Sequence, residues 1–183
     1  MKNIESKEGA LIRPDGLPHR YELKALLGRG AFGKVYLALD SELNINVAVK
    51  ISPFDGGSTS NDDTRRRAKR EIIASGRISH PNAVKIYDGG LLKYYAYIVM
   101  EVIEGGSLEE LIAEGPFAPG RAIKVAILLA EALSHLHGHD IVHRDIKPAN
   151  ILMVNPNQPK LMDFNLVRVV DQTAVTETGA LIG

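Results

Sequence analysis

The feature that most restricts the fold of this 183-residue chain is Gly28-Arg29-Gly30-Ala31-Phe32-Gly33-Lys34-Val35, a G-x-G-x-x-G-x-V run. Glycines at this spacing let backbone amides approach phosphate oxygens with no Cβ in the way. They also suit a plain hairpin turn, so the run alone does not choose between the two. A dinucleotide-binding βαβ unit opens a helix directly after its glycines. Here the following residues, 34–39, are β-branched and aromatic with no cap. The loop therefore joins two strands, and the dinucleotide reading fails.

The rest of the pattern extends that hairpin into a sheet. Residues 21–27, 34–39 and 45–51 are short β-type runs separated by turn residues, which predicts three antiparallel strands. Residues 52–63 form a Gly-, Ser-, Asp- and Asn-rich loop ending in the helix-capping residues Asn61, Asp62 and Asp63. A helix ending near Gly76 should follow. Residues 83–87 and 94–102 read as two more strands joined by a turn at Asp88-Gly89-Gly90. Past Glu104-Gly105-Gly106 the composition becomes helical, with Ser107 capping 108–113 and a longer helix over 119–137. That helix is apolar on nearly all sides between Val125 and Ala130, which implies burial. The expected class is α+β: a surface lead-in over 1–20, a five-stranded antiparallel lobe with one helix over 21–103, and a mainly helical part over 104–183.

Composition narrows the function. Lys and Arg number 22 against 22 Asp and Glu, so no net charge favours nucleic acid, and 45% hydrophobic residues suffice for a core. The absence of cysteine excludes disulfides, cysteine zinc sites and thiol chemistry. The apolar stretch 125–130 is far short of the roughly 20 residues that span a bilayer. The first residues lack the apolar segment of a secretory signal, so no membrane association and a cytoplasmic location are expected.

Three further groups carry chemistry. Val47-Ala48-Val49-Lys50 ends a strand on a lysine that could reach phosphates under the glycine loop, although strand-end lysines are commonly just solvated. Within Arg65-Arg66-Arg67-Ala68-Lys69-Arg70-Glu71, Glu71 is an acid bordering an apolar helix face and could pair with Lys50, while the basic run reads as a solvated face. Ile141-Val142-His143-Arg144-Asp145-Ile146-Lys147-Pro148-Ala149-Asn150-Ile151-Leu152 and then Leu161-Met162-Asp163-Phe164-Asn165 form the most specific signal.

Together these motifs resemble the eukaryotic-type protein kinases, most closely the bacterial Ser/Thr branch, over about 21–183. The resemblance implies a bilobal fold and an ATP-dependent protein Ser/Thr kinase. Asp145 then accepts or orients the substrate hydroxyl proton, and Asn150 and Asp163 hold two Mg²⁺ ions, with Mn²⁺ as an alternative. Lys147 lies near the transferred phosphate, and Lys50, paired with Glu71, steadies the inner phosphates. Residues 28–33 cover the phosphates. Adenine lies against Val35, Ala48 and Leu152, with backbone contacts from Glu101 to Ile103 and Met100 as gatekeeper. Lys147, two positions after the aspartate, matches the Ser/Thr pattern, so protein hydroxyls are the implied substrates, the chain's own among them. Arg144 beside Asp145 makes phosphorylation of the following loop an expected switch, with Thr173, Thr176 and Thr178 as candidates.

The sequence departs from that family in three places. Asn165 stands where Asp-Phe-Gly has glycine, and Ser75 where an apolar residue usually stacks with Ile86, His143 and Phe164. The resemblance also stops at Gly183, inside the activation segment, so a fragment is expected. It should expose apolar surface at Leu128, Leu129 and Leu133 that favours self-association. A reduced kinase, or one completed by another chain, is the alternative. Two other functions stay open: a nucleotide-binding regulatory module without turnover, and a small-molecule phosphotransferase, against which Lys147-Pro148-Ala149-Asn150 argues.

Overall fold

The computed structural model describes residues 13–30, 33–53, 66, 69–70, 72, 76 and 78–163. Five strands follow from alternating and β-branched runs: β1 (Tyr21–Gly30), β2 (Gly33–Asp40), β3 (Ile45–Pro53), β4 (Ile86–Leu91) and β5 (Tyr95–Glu101). They form one sheet in the order β1-β2-β3-β5-β4, with β1–β2, β2–β3 and β3–β5 antiparallel. Residues opposite one another in such a ladder share a face. Tyr36 opposite Val49, Ala38 opposite Val47 and Val49 opposite Val99 therefore build one buried face, joined by Tyr21, Ile51 and Tyr97.

The stretch before β1 is more than a surface lead-in. Leu17 is buried in that same core, and the Arg13 guanidinium fastens the turn by donating to the carbonyls of Tyr21 (2.8 Å), Leu17 (2.6 Å) and Pro18. Arg20 donates to Glu42 and Asp88, each at 3.0 Å, and the Tyr21 hydroxyl donates to Asp88 at 2.5 Å. Burial, then the Asp88 carboxylate, pushes the Tyr21 phenol well above its usual range.

The predicted turn at Asp88-Gly89-Gly90 is instead part of β4. Neither glycine has a positive φ. A Cβ on Gly89 would lie 2.5 Å from the Ile72 side chain, and one on Gly90 2.8 Å from the Tyr97 ring. Close approach, not chain reversal, explains both glycines. The expected strand at 83–87 is displaced accordingly to Ile86–Leu91, and Ala83 makes only an isolated parallel bridge to Leu161. Of the helix predicted up to Gly76, Arg66, Lys69, Arg70 and Ile72 are helical.

The chain divides into two compact units, one carrying the five-stranded sheet. The other contains α1 (Leu108–Glu114), α2 (Pro119–His137), a 3-10 turn at Pro148–Asn150 and the hairpin β6 (Ile151–Asn155) to β7 (Gln158–Leu161), together with the segment 78–86. That segment joins this unit because Val84 N–H donates to the Leu161 carbonyl and Leu161 N–H to the Asn82 carbonyl, both at 2.9 Å. Buried Asn82 adds a side-chain bond to the Pro159 carbonyl at 2.8 Å. Ser107 caps α1 reciprocally with Glu110, and Pro119 opens α2 with its missing N–H at a position that needs none. Along α2, Val125, Ala132 and Leu136 are buried, so the helix is not apolar-packed all round. Its exposed apolar side chains are Ile123 (59%) and Ile127 (53%), whereas Leu128, Leu129 and Leu133, expected to be the open surface, are half-buried. Among the described residues no helix is long and apolar enough to cross a membrane.

Two glycines separate packing from propensity. A Cβ on Gly105 would lie 1.7 Å from the Met153 carbonyl oxygen, whereas one on Gly120, in the first turn of α2, would meet nothing within 4 Å. Gly105→Ala should destabilise the chain by about 2 kcal/mol, and Gly120→Ala should stabilise it by about 0.5–1 kcal/mol. Urea midpoints check both signs.

Candidate active site

The helical unit gathers four of the expected catalytic and metal-binding residues around one backbone crossing. After α2 the chain runs through His143, Arg144 and Asp145 to the 3-10 turn that ends on Asn150. Asn150 is 7% exposed, and its Nδ2 donates to the Asp145 carbonyl oxygen at 2.8 Å and to Asp145 Oδ2 at 3.0 Å. Lys147 Nζ donates to the same Oδ2 at 3.0 Å. That pair is partly exposed, so it orients the carboxylate more than it stabilises the fold. With its amide nitrogen engaged, Asn150 is left with Oδ1 as the atom suited to a hard cation.

Asp163 is tied to this loop through Met162. Met162 N–H donates to the Asn150 carbonyl at 2.9 Å, and the Met162 carbonyl accepts from His143 Nε2 at 2.8 Å. Asp145 N–H donates to His143 Nδ1 at 3.3 Å. The imidazole, 1% exposed, is thus held as the neutral Nε2–H tautomer. Burial lowers its pKa, opposed by the Met162 carbonyl and by the charges of Asp145 and Asp163. Asp163 itself adopts φ 64°, and Arg144 likewise has φ 64°. An Asp carboxylate and an Asn amide oxygen are a donor set fit for Mg²⁺, which takes one or two protein oxygens and fills its shell with phosphate and water. Among the described residues no three His, Asp or Glu side chains converge on a metal position.

The sheet unit presents four of the other expected residues on one face. Val35 is opposite Lys50, Ala48 opposite Met100 and Lys50 opposite Ile98, so Val35, Ala48, Lys50 and Met100 lie on the face away from the Tyr36–Val49 core. Glu101 and Ile103 are half-buried at the end of β5 and just beyond it, and Leu152, half-buried in β6, belongs to the helical unit. In the β1–β2 hairpin Gly28 pairs with Val35, Arg29 with Lys34 and Gly30 with Gly33. The three glycines differ. Gly33 has φ 136° and a Cβ there would lie 2.3 Å from the Ile51 carbonyl oxygen, whereas nothing lies within 4 Å of a Cβ on Gly28 or Gly30. Gly33 is required by the fold, and Gly28 and Gly30 leave open space beside the backbone.

Ala31, Phe32, Glu71, Ser75, Phe164, Asn165, Thr173, Thr176 and Thr178 lie outside the described residues. Sequence reasoning missed Asn82, whose clamp on β7 precedes Asp163; no local signal marks it.

Comparison with known proteins agrees with this geometry. The protein kinase domain model matches residues 21–180. The chain is 39% identical over 165 residues to Serine/threonine-protein kinase PrkC of Bacillus subtilis, covering 90% of this chain and 25% of that protein. It is 38% identical over 179 residues to Serine/threonine-protein kinase PknB of Mycobacterium leprae, covering 94% and 28%. The chain thus spans about a quarter of the length of these relatives. Among solved structures, the PknI kinase domain of M. tuberculosis superposes with TM-score 0.70 at 26% identity, over 81% of this chain and 59% of that one. Rad53 1-466 in complex with AMP-PNP gives 0.69 at 27%, over 80% and 38%. A loop closed on Asn150, a lysine-bearing strand paired in the register described, and a family model that matches residues 21–180 place this protein in the protein kinase domain family.

Proposed function

We propose that this chain transfers the γ-phosphoryl group of ATP to serine and threonine hydroxyls of proteins, its own loop threonines among them, in the cytoplasm where ATP and Mg²⁺ are abundant. The observation that carries the reading is the Asp145 carboxylate, gripped by Asn150 and Lys147 and linked through Met162 to Asp163. Phosphoryl transfer asks little covalent chemistry of a protein; it needs an aligned hydroxyl and neutralised phosphate charge. Asp145 holds the incoming hydroxyl and takes its proton. Lys147 carries positive charge beside the same carboxylate, where charge develops on the moving phosphoryl group. Mg²⁺, when bound, supplies electrophilic neutralisation of the phosphate oxygens, and Asn150 Oδ1 and Asp163 are the side-chain oxygens that would hold it. Open backbone at Gly28 and Gly30 lets amides reach phosphates, and Lys50 contributes an ammonium. The names of the relatives, both Ser/Thr kinases, support the choice of hydroxyl.

Asp145→Asn should lower phosphate transfer to a generic protein by 10²- to 10⁴-fold, the usual range for losing a general base, and leave Mg²⁺-dependent nucleotide binding within about threefold. Transfer of label and a nucleotide titration measure the two separately. Nucleotide binding with no transfer by the unaltered chain, and no effect of Asp145→Asn, would leave the nucleotide-binding module without turnover as the better account.

The hairpin glycines give a second test. Gly30→Val should keep the urea midpoint within the roughly 0.5 kcal/mol typical of open surface positions, yet weaken ATP binding by an order of magnitude. Gly33→Ala should lower the midpoint itself, because its φ and the Ile51 carbonyl both oppose a Cβ.

A further inference from the structure

A stack of imidazoles stands apart from the catalytic loop. The rings of His80 and His135 are 5.3 Å apart and those of His135 and His139 are 4.6 Å apart, all in the helical unit. The hydrogen bonds fix which protons they carry. Asn82 N–H donates to His80 Nδ1 at 3.1 Å, so that nitrogen must hold a lone pair and the ring is neutral. His139 Nδ1 lies 2.9 Å from the His135 carbonyl and donates to it. His135 Nε2 is buried with no hydrogen-bond partner among the described residues. Among the described residues no three such groups converge to hold a metal ion.

Protonating His80 puts a hydrogen on Nδ1, facing the Asn82 N–H it now accepts from. The bond is lost and two donors confront each other. Asn82 is the residue that clamps β7, through Nδ2 to the Pro159 carbonyl and through its own carbonyl to Leu161 N–H. Leu161 leads through Met162 to Asp163. We propose that His80, stacked on His135, is a proton-sensitive latch that positions the strand leading to Asp163, firm while the His80 ring is neutral and loosened by acid. Its effect on turnover rests on the kinase reading; the latch itself does not.

The groups facing His80 from α2 are His135 and Glu131. Towards β7 its neighbour is neutral Asn82, which bonds Pro159 and Leu161, while Lys160 alternates to the face opposite those two residues. His137, two residues from His135, is exposed on another side of α2. Burial and then His135 lower the His80 pKa, against a smaller opposite effect of Glu131. A base with a depressed folded-state pKa contributes stability that is fully present above its unfolded value of about 6.5 and is lost as pH falls through the folded value.

The test is amide exchange at Val84 and Leu161, corrected for intrinsic chemistry, on the full chain from pH 7.5 to 5.5. Protection in the wild type should fall about threefold or more with acid. His80→Asn, whose side-chain oxygen can accept the same N–H two residues on, should show no fall. His135→Phe keeps a ring in the stack and removes one cause of the lowered pKa, so its fall should be smaller. Phosphate transfer should follow the same pH pattern across the three proteins. A wild type that keeps its protection at pH 5.5, or three proteins that lose it in parallel, would overturn the latch. The predicted exchange pattern without phosphate transfer at any pH would preserve the latch and defeat the kinase reading instead.

Discussion

The helical unit depends on one buried amide. Asn150 spends both hydrogens of its Nδ2 on Asp145, one on the backbone carbonyl and one on the carboxylate, and its own carbonyl receives Met162 N–H. Aspartate at this position would set a second carboxylate against the first. A buried lysine would pair with it, but a cation so placed would depress the basicity that a proton acceptor needs. A neutral donor orients the carboxylate with the smaller penalty. The cation that Asp145 does meet, Lys147, is about half exposed, where water screens its effect.

The sheet unit depends on register in the same way. A slip of one residue in β2 or β3 would turn Lys50 and Ala48 onto the core face and Val47 and Val49 onto the other. Gly33 helps to prevent that slip. Its φ of 136° and its close approach to the Ile51 carbonyl and Ser52 suit the start of β2 to one place on β3. Lys34 then falls opposite Ile51 and Val35 opposite Lys50. The third glycine of the run thus fixes where the lysine emerges, and the first two leave the hairpin open above it.

Much of this was legible because local rules and tertiary packing agree. The Ser107–Glu110 capping box, Pro119 at the first position of α2 and the alternation of β2 and β3 each mark an element whose ends match the structure within a residue or two. The loop from His143 to Asn150 was legible for a different reason: its residue types and spacing resemble a known family, and no periodicity would have found it. Gly89 and Gly90 misled because a glycine needed for contact with Ile72 or Tyr97 looks, in sequence, like one needed for a turn. Leu17 misled because a lone apolar residue among prolines and charges carries no period, and the turn that brings it inward is held by its own N–H to Pro14 and by the Arg13 bonds to three carbonyls. The Asn82 clamp joins residues far apart in the chain, which no local pattern encodes.

Backbone strain shows where the fold yields to the site. Four described non-glycine residues have positive φ: Asn44, Asp140, Arg144 and Asp163. Asn and Asp enter this region at modest cost because their short polar side chains bond locally, but Arg does so at a cost of roughly 1–2 kcal/mol. Arg144 is held there by both neighbours. On one side His143 must turn inward to reach the Met162 carbonyl, and on the other Asp145 must turn back to meet Asn150. In extended backbone residues two apart share a face, and the positive φ at Arg144 breaks that alternation between His143 and Asp145. The strain at Arg144 thus sits between the imidazole and the carboxylate, and the four hydrogen bonds that close on Asn150 and Met162 hold the residues on either side of it.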